Sequence, residues 1–167
     1  MKKMKRNMGL TAIMAAWILA FALVAAPIRA EEQKADTSNM EILREKFHAD
    51  KKLVVAANMD LTETEAKAFW PIYQEYQTKL TKINERLGKL IMDYAENYKS
   101  MTNDIAQKLM KESMVVEKER MALKELYFPK FQKAVSAMKA ARYFQIENKI
   151  QAIVQYELAG SIPLVQN

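Results

Sequence analysis

The stretch Leu61-Thr62-Glu63-Thr64-Glu65-Ala66-Lys67-Ala68-Phe69-Trp70-Pro71-Ile72-Tyr73-Gln74-Glu75-Tyr76 decides the fold. Thr62 with Glu65 three residues on spells a capping box, in which the hydroxyl takes an amide of the first turn and the carboxylate returns to the cap residue's own amide. From there Ala66, Phe69, Tyr73, Tyr76, Leu80, Ile83, Leu87, Leu90 and Tyr94 recur in steps of three and four, the spacing of a heptad seam. Pro71 lies inside the pattern, yet the phase continues across it, so the spacing predicts a kinked helix over 62–98 rather than two helices. Pro71 falls opposite the seam, which puts the carbonyl it frees, that of Lys67, toward solvent and bends the helix concave toward the seam. Such a helix is about 55 Å long, against about 37 Å for the diameter of a compact globule of the mature size, so an elongated molecule is expected.

The same grammar extends in both directions. Upstream, Ser38 and Glu41 form another capping box, and Met40, Leu43, Phe47 and Val54 line one face of a helix over about 38–57, interrupted at Asn58-Met59-Asp60. Downstream, a helix over about 102–133 carries Ile105, Leu109, Val116, Leu123 and Tyr127 on one face. A second stripe of Met110, Met114, Met121 and Phe128 falls within roughly 40° at 100° per residue, with Glu117 and Lys124 between the two stripes. A fourth helix over about 136–158 presents Ala141, Phe144, Ile146, Ile150, Ile153 and Val154, ends before Gly160 and Pro163, and leaves Ile162, Leu164 and Val165 to pack back. Three helix starts share one spelling, an apolar residue, a hydroxyl, three residues and an alanine: Leu61-Thr62 with Ala66, Met101-Thr102 with Ala106, and Val135-Ser136 with Ala140. The expected fold is therefore all-α, four helices in an elongated, curved antiparallel arrangement, in a single domain over 38–167.

The first thirty residues read differently. Lys2, Lys3, Lys5 and Arg6 precede an uncharged run from Asn7 to Ile28, and Pro27-Ile28-Arg29-Ala30 closes it, which is the order of a signal peptide. Removal would leave Glu31 first and a polar linker over 31–37. The alternative is an uncleaved anchor, since the run approaches the roughly 20 residues that span a bilayer. Either way the remainder is exported and expected in the periplasm, with no stable membrane insertion once the leader is removed. The net charge of +6 belongs to this leader: without its five basic residues, 21 basic side chains face 20 acidic ones. That balance argues against a nucleic-acid partner, which needs clustered cations to displace counterions.

Composition narrows the chemistry further. The absence of cysteine excludes disulfides, zinc–thiolate sites and thiol nucleophiles, and three glycines cannot build a phosphate-cradling loop. The single histidine, His48, would need Asp50 or Glu45 to hold a metal, and otherwise reads as an amphipathic surface residue. Met110 and Met114, adjacent on their helix, offer thioethers suited to Cu(I), but two are few. Glu75 with Lys79 and Glu85 with Lys89 read as solvated i,i+4 pairs rather than acid–base machinery. No catalytic residue, metal site or cofactor is assigned, and a non-enzyme is expected. The methionine stripe reads either as core filling or as an adaptable partner-binding face. Its place beside, not within, the aliphatic stripe selects Met110, Met114, Met121 and Phe128 as candidate client-binding residues, with Trp70 and Tyr73 on the second helix as the other candidate surface.

Met59-Asp60-Leu61-Thr62-Glu63-Thr64-Glu65, followed by Phe69-Trp70-Pro71-Ile72-Tyr73, resembles the exported helical proteins of the Spy/CpxP type, marked by LTxxQ motifs, and within them a branch bearing FWPIY. Lys118-Glu119-Arg120-Met121-Ala122-Leu123 and the stretch from Ala140 to Lys149 extend the resemblance over most of the mature chain. In Leu61, Thr62, Glu65, Phe69 and Pro71 it places the family motif. The resemblance implies a thin, curved four-helix protein, usually a homodimer, that binds unfolded envelope proteins without ATP or restrains an envelope stress sensor. Periplasmic chaperone-like activity toward partly unfolded exported proteins is the expected function. The alternatives are a regulatory partner of a sensor kinase's periplasmic domain and, behind it, a metal-responsive sensor. The chain departs from the family in three ways: Glu65 stands for the motif's Gln, the later motifs survive only as Met101-Thr102-Asn103-Asp104-Ile105 and Val135-Ser136-Ala137-Met138-Lys139, and the strongly basic cradle is missing.

Overall fold

Local capping chemistry sets the helix starts in this computed structural model, which describes residues 48–166. Among them the fold is all-α: α1 over 48–59, α2 Glu63–Asn97, a 3-10 turn Tyr98–Ser100, α3 Asn103–Ala134 and α4 Ala137–Ser161, with no strand. The leader, the linker, the cap at Ser38 and Glu41, and the expected face positions Met40, Leu43 and Phe47 lie outside the described residues.

The shared spelling of three helix starts is one geometry used three times. The hydroxyls of Thr62, Thr102 and Ser136 accept from the amides of Glu65, Ile105 and Lys139 at 3.2–3.3 Å. Four residues beyond each cap, the amides of Ala66, Ala106 and Ala140 donate to the cap residues' carbonyls at 2.8–2.9 Å, the first helical bonds. Only Thr62 has the full box, because Glu65 Oε2 accepts from its amide at 2.9 Å while position 105 is an isoleucine. The same Glu65 oxygen takes Lys139 Nζ at 2.6 Å, which ties the start of α2 to the first turn of α4. That contact uses the negative charge that Gln would lack, and with the cap it holds the carboxyl below its usual range.

Residues 48–60 and Lys149–Leu158 belong to one compact unit, and Leu61–Asn148 with 159–166 to another. In the first, α1 buries Lys51, Val55 and Met59, a row at i, i+4, i+8. This row replaces the expected one through Val54, which is half-buried. The helix also runs two residues past the expected end, and Asp60, at φ 47°, stops it in the left-handed region that Asp tolerates better than most residues.

In the second unit α2, 35 residues and about 52 Å long, runs unbroken through the exposed Pro71. Its seam is as expected: Phe69, Tyr73, Tyr76, Leu80 and Leu90 are buried, and Ala66, Ile83, Leu87 and Tyr94 half-buried. Phe69 meets Phe131, Tyr76 meets Tyr127, and Arg86 reaches Glu112 and Glu119, so α3 runs antiparallel to α2. Arg86 spans two carboxylates seven residues apart at 2.5 and 2.6 Å and pins the register. Phe69 also meets Tyr143, and Gln77 meets Glu147, so α4 runs parallel to α2 there.

Three expectations change in α4 and beyond. Its buried face is Ala140, Tyr143 and Glu147, one residue out of phase with the expected Ala141 and Phe144, which are half-buried together with Ile146, Ile150, Ile153 and Val154. The helix continues through Gly160 to Ser161 rather than ending near Leu158. The tail is held by polar bonds: Tyr94 donates to the Pro163 carbonyl at 2.7 Å and Gln166 to the Tyr98 hydroxyl at 3.2 Å, while the side chains of Leu164 and Val165 remain exposed.

Candidate functional site

The interior of the second unit is aromatic. Phe69, Tyr73 and Tyr76 of α2, Tyr127 and Phe131 of α3 and Tyr143 of α4 are all buried, with ring centroids 4.5–6.1 Å apart in mostly tilted or edge-on pairs. A polar knot lies within it. Gln77 Nε2 donates to the Tyr143 hydroxyl at 3.0 Å and to Glu147 Oε1 at 2.8 Å, with Gln77 and Glu147 both buried. Burial holds the Arg120 guanidinium below its ordinary value, while Tyr76, Glu147 and Glu117 favour its charged form. Neither Gln77 nor Glu147 was expected inside. The available signal was phase, since Glu147 follows Tyr143 by four residues and therefore shares its face.

Burial is the first cause that raises the phenols of Tyr73, Tyr76, Tyr127 and Tyr143, and the negative charge of Glu147 or Glu75 adds to it. Folded values above the unfolded value of about 10 mean that this contribution to stability is whole below that pH and is lost as pH rises toward the folded values. Tyrosinate absorbance from these rings should therefore appear together with the loss of helicity in an alkaline titration. Full ionisation of all seven tyrosines with helicity intact would contradict the burial argument.

Tyr76 and Tyr143 differ in one respect. Among the described residues, the Tyr76 hydroxyl is a buried side-chain oxygen without a protein hydrogen-bond partner, whereas Tyr143 accepts from Gln77. Tyr76→Phe should leave stability unchanged or raise it by up to about 1 kcal/mol, and Tyr143→Phe should lower it by about 1 kcal/mol. Urea unfolding of the two variants side by side reads the difference in sign.

The outer face of α3 carries the other feature. Met110, Met114 and Met121 are 58%, 54% and 57% exposed, while Val116, Leu123, Tyr127 and Phe131 of the same helix are buried. The methionine stripe is thus a surface, not core. Phe128 is half-buried, 5.9 Å from Phe144, and with Lys124, Glu125 and Phe144 lines an open depression of about 430 Å³ that continues the stripe. Lys124 Nζ, at the depression's edge, donates to Asn148 at 2.7 Å. Glu117 and Lys124 flank the stripe on one side, and Lys111, Lys118 and Glu125, spaced by seven, on the other, so both flanks are of mixed sign.

The second expected surface is corrected. Tyr73 is only 3% exposed and belongs to the core, because α4 covers that side of α2 through Tyr143, 5.9 Å away. Trp70 is half-buried and edge-on to Phe69 and Tyr73. Phe69 is core, Thr62 and Glu65 cap α2, Leu61 is half-buried and Pro71 exposed. Glu75 has more partners than the expected Lys79, whose charge does act on it: its carboxylate accepts from the Tyr127 hydroxyl at 2.5 Å and pairs with Lys130 at 3.5 Å, both on α3.

Among the described residues no group of three or more His, Asp or Glu could hold a metal ion, and no helix is long and apolar enough to cross a membrane. What the arrangement offers is an all-α scaffold with an exposed thioether surface. No family model, curated protein or solved structure matches the chain.

Proposed function

We propose that this is an exported, ATP-independent, chaperone-like protein of the periplasm, a non-enzyme that holds partly unfolded exported proteins against the outer face of α3. The observation that carries the reading is the exposure of Met110, Met114 and Met121 on a helix that packs through a separate stripe, Val116, Leu123, Tyr127 and Phe131. Unbranched thioethers adapt to varied apolar shapes, as a surface that meets many clients requires. Flanks of mixed sign favour apolar contact over charge steering. The resemblance to Spy/CpxP-type proteins supports the same reading, and a homodimer of elongated, curved form is part of the proposal, with small-angle scattering as its check.

Suppression of aggregation of several unrelated proteins tests the function. The double variant Met114→Gln and Met121→Gln should protect them markedly less, while unfolding free energy moves by no more than about 0.5 kcal/mol, as at other exposed sites. Loss of several kcal/mol would place the stripe in the core and refute the assignment. Protection of one partner alone, such as a sensor's periplasmic domain, would replace the chaperone by a dedicated regulator.

A further inference from the structure

The chain has 12 methionines and no cysteine, so a two-electron oxidant that reaches it meets thioether sulfur and no thiol. Burial divides these sulfurs: Met59 is 1% exposed, whereas Met110, Met114 and Met121 lie more than half open on one face of α3. Met92 and Met138 are also exposed, but they sit on α2 and α4 and not on α3.

We propose that Met110, Met114 and Met121 form a reversible oxidation site that switches the apolar face of α3 off. The co-reactant is a peroxide or hypochlorous acid. With hydrogen peroxide, a sulfur lone pair attacks one oxygen, the S–O bond forms as the O–O bond breaks, and the other oxygen leaves as water. Sulfur loses two electrons and the peroxide gains them. The product sulfoxide is a strong acceptor in place of an apolar group. A client docking on it must strip water from that oxygen, which weakens association. The fold is spared because the residues that pack α3, Val116, Leu123, Tyr127 and Phe131, form a separate stripe beside the methionines. A thiol-dependent methionine sulfoxide reductase reverses the change, taking the oxygen away as water while two thiols become a disulfide.

This switch rests on reading the stripe as the client face, and the experiment separates the two. The full chain is treated with hydrogen peroxide, sulfoxides are mapped by peptide mass, and helicity, binding of an apolar fluorescent dye and suppression of aggregation are followed together. Expected are oxidation of the three stripe methionines on the order of tenfold faster than Met59, unchanged helicity, and on the order of tenfold weaker dye and client binding, restored by the reductase. The variant Met110→Leu, Met114→Leu and Met121→Leu, which keeps Met92 and Met138, should retain dye binding after the same treatment. Undiminished dye binding by the oxidised wild type, loss of helicity in step with oxidation, or equal sensitivity of the leucine variant would each overturn the switch. Dye binding that responds to oxidation in a protein that protects no client would support the switch and sink the chaperone reading alone.

Discussion

Replacing Phe131 by alanine should lower the unfolding free energy by about 3–5 kcal/mol, the usual cost of emptying a large buried aromatic site. Phe131 is fully buried and lies 5.1 Å from Phe69, 6.1 Å from Tyr76, 4.5 Å from Tyr143 and 5.6 Å from Phe144, so one ring joins all three helices of the second unit. The neighbouring rings are large and held by one another, which limits how far they can collapse into the space. With total stabilities of about 5–15 kcal/mol, the variant would be near the edge of folding at 37 °C. Urea unfolding followed by circular dichroism measures the change, with Leu126→Ala, on the exposed side of the same helix, as a control expected to move by less than about 0.5 kcal/mol. A loss below about 1 kcal/mol for Phe131→Ala would mean that the three helices do not depend on this junction.

The second large effect is expected at Gln77. Leucine there removes the donor from both the Tyr143 hydroxyl and the Glu147 carboxylate, in a site where Glu147 is itself buried. A lost hydrogen bond to a buried charge costs about 1.5–3 kcal/mol, and the stranded hydroxyl adds to it. Gln77→Leu should therefore destabilise by about 3 kcal/mol even though leucine suits a helix interior. Adding Glu147→Leu should recover part of that loss, since removing both halves of a buried polar pair is less costly than removing one. Recovery stays partial because Arg120, partly buried nearby, then loses a favourable charge. A double-mutant cycle reads the coupling directly. Additive losses from the two single changes would show that Gln77 and Glu147 act independently.

Much of this molecule was legible in its sequence because the deciding interactions are local. A hydroxyl and the amide three residues on lie within one turn, so Thr62, Thr102 and Ser136 announced their helices, and the start of α2 was placed to within a residue. The seam from Phe69 to Leu90 was equally visible, since steps of three and four keep side chains on one stripe whatever packs there. The separate methionine stripe of α3 was visible for the same reason, and its place beside the aliphatic stripe pointed to the exposure that Met110, Met114 and Met121 have. A periodic pattern says which residues share a face; it does not say which face meets a neighbour.

That second decision belongs to the tertiary structure. Tyr143 and Phe144 are adjacent rings on α4, about 100° apart, and either could have turned inward. The junction with Phe69 and Phe131 sets Tyr143 deepest, with Ala140 and the polar Glu147 beside it, while Phe144 packs half-buried on Tyr76 and Phe131. The same docking hides Tyr73, which sequence placed on an open concave surface, and supplies Gln77 with partners 66 and 70 residues away. Glu75 reached beyond its expected neighbour on its own helix to Tyr127 across the hairpin, and Glu65 found Lys139 at 74 residues' distance. Sequence alone thus determined four helices, the starts of α2, α3 and α4 and the apolar stripes of α2 and α3, because backbone geometry and first-turn hydrogen bonds reach only three or four residues. Which ring of α4 lies deepest and which carboxylate is buried depended on helix against helix, where contacts join residues that no local spacing relates.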